Sequence, residues 1–294
     1  MNPSTGCRSV ELRDEPGHAA FPMTIMYPAS ECENLEEAAH DSSVPKDAAP
    51  KGKRPSFPLV VISHGSGGTP LLYRTLARHL AGNGFVVGMP EHPFNNRNDN
   101  SLAGTVENLV NRPRHIRAAV DWFFGSKVFS PLLESNAVAV IGHSMGGYTA
   151  LALAGGVPTP LPREAGGEHT VHIDVKADPR VKTLVLLAPA AAWFSARGAL
   201  SGVKIPILML VGEKDKHTPY ERNARLVLDG VPDRAKIQCR IVKNAGHFSF
   251  LSPFPKHMVK ESFPPSQDPP GFDRIRFHHA MNAEILDFLS RTLR

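Results

Sequence analysis

The chain is poor in features that would mark several classes of protein. It has three cysteines, Cys7, Cys32 and Cys239, odd in number and widely spaced. That spacing fits neither a disulfide framework nor a paired CxxC metal site, and reduced thiols in a cytoplasm are the expectation. No HExxH occurs, and His278-His279 has no acidic or cysteine partner at ligand spacing, so no metal is expected. No stretch approaches the roughly 20 apolar residues of a membrane helix. The N-terminal residues hold Arg8, Glu11, Arg13, Asp14 and Glu15 where a signal peptide needs an apolar core. Aromatic residues make up 7% of the chain, and lysines and arginines form no run interleaved with aromatics. Nucleic acid is therefore not an expected partner.

The net charge of +5 is unevenly spread: residues 1–50 hold nine acids and three bases, a balance of −6, which leaves +11 for the remainder. A solvated basic surface with an acidic segment at 31–41 accounts for this. With 294 residues, 41% of them hydrophobic, the chain can bury a sizeable core.

Apolar runs supply the outline of a fold. Residues 21–27 (FPMTIMY), 57–63 (FPLVVIS), 84–89 (GFVVGM), 137–142 (AVAVIG), 181–188 (VKTLVLLA), 205–211 (IPILMLV) and 237–242 (IQCRIV) read as strands. Most are continuous rather than alternating, as strands covered on both faces are. Between them, residues 71–81, 113–124, 146–154 and 220–228 read as helices, and 275–293 closes the pattern with His278, Met281, Ile285 and Leu289 on one face. Pro113 suits a first helical turn, with Asn111 as its cap. The alternation predicts an α/β fold: a mostly parallel central sheet with helices on both faces, in one domain over 1–294. Loop insertions are expected at about 28–55, 155–179 and 252–271.

Three strand ends carry chemistry. Gly142-His143-Ser144-Met145-Gly146 is a GxSxG between a buried strand and a small-residue helix, where a sharp turn would expose the serine oxygen at a helix N-terminus. A serine hydroxyl needs a base and a group to orient that base. Asp215 follows one strand within GEKD, and His247 follows the next within NAGHF. Loops at the C-terminal ends of parallel strands converge on one crevice, and the order Ser, Asp, His is that of an α/β-hydrolase. Glu213 and Asp178 remain alternatives to Asp215, and His217 is the runner-up base. Trp193, Phe194 and Phe248 could line an acyl pocket or pack in the core. Glu91, His92, Asn95 and Asn96 could contact substrate or form a solvated loop.

These residues make the chain resemble an α/β-hydrolase serine esterase from about Phe57 to the last helix. The run His64-Gly-Ser-Gly-Gly68 with Gly84-Phe-Val-Val-Gly-Met-Pro-Glu-His-Pro93 resembles the dienelactone-hydrolase-like group related to platelet-activating-factor acetylhydrolases. True dienelactone hydrolases use a cysteine nucleophile, so Ser144 does not carry lactone specificity over. The resemblance implies an oxyanion hole made by the backbone N–H groups of Ser66 and Met145. It implies a cofactor-free carboxylic ester hydrolase acting on small-molecule esters of small or medium acyl groups. A thioesterase or amidase with the same triad, and a non-catalytic binding protein of this fold, are the alternatives.

Overall fold

The computed structural model describes residues 4–14, 19–29, 57–165 and 173–293. The acidic segment 31–41, Cys32, nearly all of the 28–55 insertion and residues 166–172 of the 155–179 insertion lie outside the described residues.

Eight strands form one sheet: β1 (Ser4–Asp14), β2 (Ala19–Ala29), β3 (Phe57–Ser63), β4 (Val86–Pro90), β5 (Leu133–His143), β6 (Val181–Leu187), β7 (Ile207–Gly212) and β8 (Ile237–Val242). Their order is β1-β2-β4-β3-β5-β6-β7-β8. β1 pairs with β2 and β2 with β4 antiparallel, and every other pairing is parallel. Alternate residues of the central strands enter two cores. Leu59, Val61, Val138 and Val140 face one; Val60, Ile62, Ala139 and Ile141 face the other. Helices α2 (Val106–Gly125), α3 (Met145–Leu153) and α4 (Ala224–Gly230) cover the first side. Helices α1 (Arg74–Gly82) and α5 (Arg274–Leu293) cover the second. No helix of the described residues is long and apolar enough to cross a membrane.

Several boundaries differ from the sequence reading for physical reasons. β1 carries a charge at Arg8, Glu11, Arg13 and Asp14. Among the described residues it is an edge strand bonded on one side only, so it needs no continuous apolar run.

Helix α2 begins at Val106, two turns before Pro113, with Thr105 Oγ1 accepting from Asn108 N at 3.1 Å as the cap. Pro113 therefore sits in the helix interior, where it cannot donate to the carbonyl four residues back. That carbonyl, Leu109 O, is taken instead by the hydroxyl of Tyr148 at 3.0 Å.

The helix expected over 220–228 is broken at Asn223 into a 3-10 turn and α4. The broken backbone frees Asn223 to accept from Ala191 N at 2.9 Å, pinning the loop after β6. The 252–271 insertion contains two 3-10 turns, Lys256–Met258 and Pro264–Ser266. It packs behind the 246–249 loop, where Ser249 Oγ donates to Asp268 Oδ1 at 3.0 Å.

Candidate active site

Ser144 follows β5 directly and stands at the N-terminus of α3 with φ 53° and ψ −119°, in the left-handed region. A serine pays strain there. The turn is held by Ser144 N donating to Leu187 O at 3.0 Å and by Ser144 O accepting from Gly147 N and Ala190 N at 2.8 Å each. A Cβ on Gly146 would lie 1.9 Å from Ser63 O, so only glycine allows α3 to approach β3 so closely.

Asp215 lies three residues beyond β7 and His247 five beyond β8, and the two loops bring them together with Ser144. Ser144 Oγ lies 2.9 Å from His247 Nε2, and His247 Nδ1 lies 2.8 Å from Asp215 Oδ2. With the Nδ1 proton donated to the carboxylate, Nε2 is left to accept from the serine hydroxyl. Asp215 Oδ1 accepts from His217 N at 2.8 Å and Thr218 N at 2.9 Å, and Thr218 Oγ1 lies 2.7 Å from Oδ2. Burial alone would raise the Asp215 carboxyl; the hydrogen bond and charge of His247 and the donors of Thr218 overcome it and hold the group at about 2.

Beneath the histidine, the His143 ring accepts from Tyr73 Oη at Nδ1 (3.0 Å) and donates from Nε2 to His247 O (3.0 Å). Tyr73 Oη in turn accepts from Gly65 N at 3.3 Å. Burial, with the neighbouring His247, lowers the His143 ring to about 3, which keeps it neutral in this arrangement.

Ser66 and Met145 line the same cavity as Ser144 and His247, a space of about 420 Å³. The 64–68 loop that carries Ser66 runs close to Ser144: a Cβ on Gly65 would meet the Ser144 Cβ at 3.2 Å. Under this loop is Arg112, wholly buried and without an ion pair among the described residues. It donates to His64 O, to Asn95 Oδ1 (2.6 Å), to Ser63 Oγ (3.3 Å) and to Thr149 Oγ1 (3.1 Å). Asn95 Nδ2 passes the connection on to Ser66 Oγ at 2.8 Å. Burial lowers the guanidinium to about 9.

The remaining sequence candidates separate. Trp193, Phe248 and His217 line the cavity. Phe194 does not: its ring stacks on Tyr148 in the core, centroids 5.6 Å apart, because the 3-10 turn Ala192–Phe194 points the two aromatics differently. His92, Asn95 and Asn96 are buried beneath the glycine loop rather than solvated or facing substrate, and Glu91 is half-buried beside them. His217 meets Asp215 through its backbone N–H, which leaves the imidazole of His247 as Asp215's ring partner. Glu213 Oε2 accepts from Asn244 N at 2.8 Å, and Asp178 pairs with Arg180 just before β6, at the other end of that strand. His278 bonds Ser249 O and Thr75 Oγ1 within the second core. Arg112, Tyr73, Thr218 and Glu164 were not singled out by sequence, and only the capping-type spacing of Asp215 and Thr218 offered any signal.

Comparisons with known proteins agree with this architecture. The sequence model of the family described as alpha/beta hydrolase fold matches residues 58–163. Among curated proteins, the chain is similar to Cutinase 2 of Thermobifida cellulosilytica, 26% identical over 196 residues, 66% of this chain and 62% of that one. It is similar to Cutinase cut1 of Thermobifida fusca at 26% identity over 66% of this chain and 50% of that one. These matches span 50% to 62% of the relatives' own length. A solved structure, a ferulic acid esterase from Streptomyces cinnamoneus, superposes with a TM-score of 0.70 at 18% identity, covering 100% of this chain and 91% of that chain. The fold is the α/β-hydrolase fold.

Proposed function

We propose that the chain is a carboxylic ester hydrolase working through an acyl-enzyme. The observation that carries this reading is the continuous relay from Ser144 Oγ through His247 to Asp215, 2.9 Å and 2.8 Å long, opening on a cavity. The similarity to cutinases supports an ester as the substrate.

In this scheme His247 Nε2 takes the hydroxyl proton as Ser144 Oγ attacks the ester carbonyl. The amides of Ser66 and Met145 receive the oxyanion, and one such donor is worth about 3 kcal/mol of barrier. The imidazolium, stabilised by Asp215, then protonates the departing alkoxide as the C–O bond breaks. Water enters, gives a proton to His247 and attacks the acyl carbon; Ser144 leaves with that proton and the acid is released. A cavity of about 420 Å³ with Trp193 and Phe248 in its wall suits small or medium acyl groups. Within the fold, the glycine-rich loop His64–Gly68 supports a place near the dienelactone-hydrolase-like group, with serine as nucleophile.

The test is intact-mass labelling with a fluorophosphonate. One adduct on the wild type, absent from Ser144→Ala, is the expected result and leads to a panel of esters, thioesters and amides. Folded wild-type protein that takes no adduct would sink the hydrolase reading in favour of a binding protein. Preference for thioesters or amides in the panel would keep the triad and change the substrate.

A further inference from the structure

One wall of the cavity has no part in the hydrolytic scheme. Residues 157–165 are pinned beside the loop after β6 by Val157 N donating to Ala199 O and Thr159 N to Trp193 O, each at 2.8 Å. A turn follows, in which Glu164 N and Ala165 N donate to Leu161 O, and this turn brings Arg163 and Glu164 into the cavity wall.

The two carboxyl oxygens of Glu164 are in unequal positions. Oε2 accepts from Trp193 Nε1 at 2.7 Å and from Leu161 N at 2.9 Å. Oε1 is closed to solvent and has no hydrogen-bond partner among the described residues. A buried acceptor without a donor is unfavourable and uncommon. Here it lies in the side chain that braces Trp193 beside the nucleophile.

We propose that Glu164 Oε1 accepts a hydrogen bond from a hydroxyl group carried by the ester substrate, so that the site selects hydroxyl-bearing esters. This rests on the hydrolase reading above. A hydroxyl offers one proton to the one unsatisfied acceptor, and the apolar faces of Trp193 and Phe248 suit the body of such a molecule. Arg163 on the same wall disfavours an ammonium as the donor. Contact requires the turn to give slightly, and its Pro162 and Arg163 are exposed.

The experiment compares kcat/KM for matched esters in two arms. One arm uses p-nitrophenyl esters whose acyl chains end in hydroxyl, methoxy or methyl. The other uses acetates of the corresponding diols, methoxy alcohols and alkanols. The wild type is expected to favour the hydroxyl ester over its methoxy twin by about tenfold or more in one arm, since a site built around a substrate hydroxyl penalises its absence. In Glu164→Gln, the amide oxygen can keep both bonds from Trp193 and Leu161, which turns the NH₂ into the place of Oε1. The hydroxyl preference should then fall about tenfold or reverse.

These ratios do not depend on the amount of folded enzyme, and the wild-type ratio decides even if the variant does not fold. A wild-type ratio near one in both arms overturns the proposal. So does a Glu164→Gln variant with the wild-type ratio, or one in which all esters fall alike. If no ester turns over and Ser144 takes no phosphonate, the hydrolase reading fails and this proposal with it.

Discussion

Asp215 is pulled in two directions: burial favours its neutral form, while His247 and Thr218 favour its charge and hold it at about 2. A carboxylate held so low stays ionised throughout the neutral range and can fix the histidine tautomer there. Asp215→Asn keeps the shape and removes the charge, so kcat should fall by about 10³ to 10⁴ with the thermal midpoint little changed. Steady-state kinetics beside a melting curve would check this, and a nearly unchanged rate would move the role to another acid. The positions of Ser144, Asp215 and His247 were legible because a local rule, a residue just past a buried strand, places each. Arg112 and Glu164 were not legible. Their roles depend on which distant carbonyl or indole they meet, and a lone Arg or Glu in a polar stretch reads as a solvated surface.

Helix α2 ties the His64–Gly68 loop to α3. Arg112 in its middle reaches His64 O and Ser63 Oγ on one side and Thr149 Oγ1 of α3 on the other, and Thr149 Oγ1 itself donates to Met145 O at 3.1 Å. Loosening this tie should displace the Ser66 side of the site more than it changes substrate binding. Arg112→Met is expected to lower kcat by about 10² with KM little changed, as a displacement of about 1 Å does. The measurement is kcat and KM per phosphonate-titrated site; a kcat within threefold of wild type would show that the loop is held without the arginine. The same helix shows why boundaries are harder to read than strands. Pro113 is tolerated inside α2 because Tyr148, 35 residues further along the chain, supplies the missing donor to Leu109 O. Sequence periodicity carries no trace of such a bond. Strands β3 and β8 were read to the residue, because burial or pairing alone defines their ends.

Four buried histidines, His64, His92, His115 and His143, are held neutral inside the molecule. Burial lowers His64, His115 and His143 to about 3 each and His92 well below its ordinary value, with Arg112 adding to the effect at the first two and at His92. For each, the folded value lies below the unfolded value of about 6.5. Below that value the unfolded chain takes protons that the folded chain refuses, so stability is complete above about pH 6.5 and is lost as pH falls toward 3. Each histidine contributes a slope of about 1.4 kcal/mol per pH unit in that window. Four such groups together steepen the loss on the acid side. Asp215, depressed to about 2, adds its own loss only below about pH 4. Urea midpoints should therefore drop steeply below pH 6, and a flat midpoint from pH 7 to 4.5 would contradict the buried-neutral arrangement.

The order of the relay along the chain also has a consequence in time. Ser144 directly follows a central strand, β5, whereas His247 follows β8, which among the described residues pairs with β7 alone at the edge of the sheet. During synthesis the serine emerges about a hundred residues before the histidine that activates it. A growing chain can thus lay down β3, β5 and β6 and shape the turn at Ser144 while remaining chemically silent. On the hydrolase reading, the relay from Ser144 to Asp215 is complete only once β8 has docked and His247 is in place.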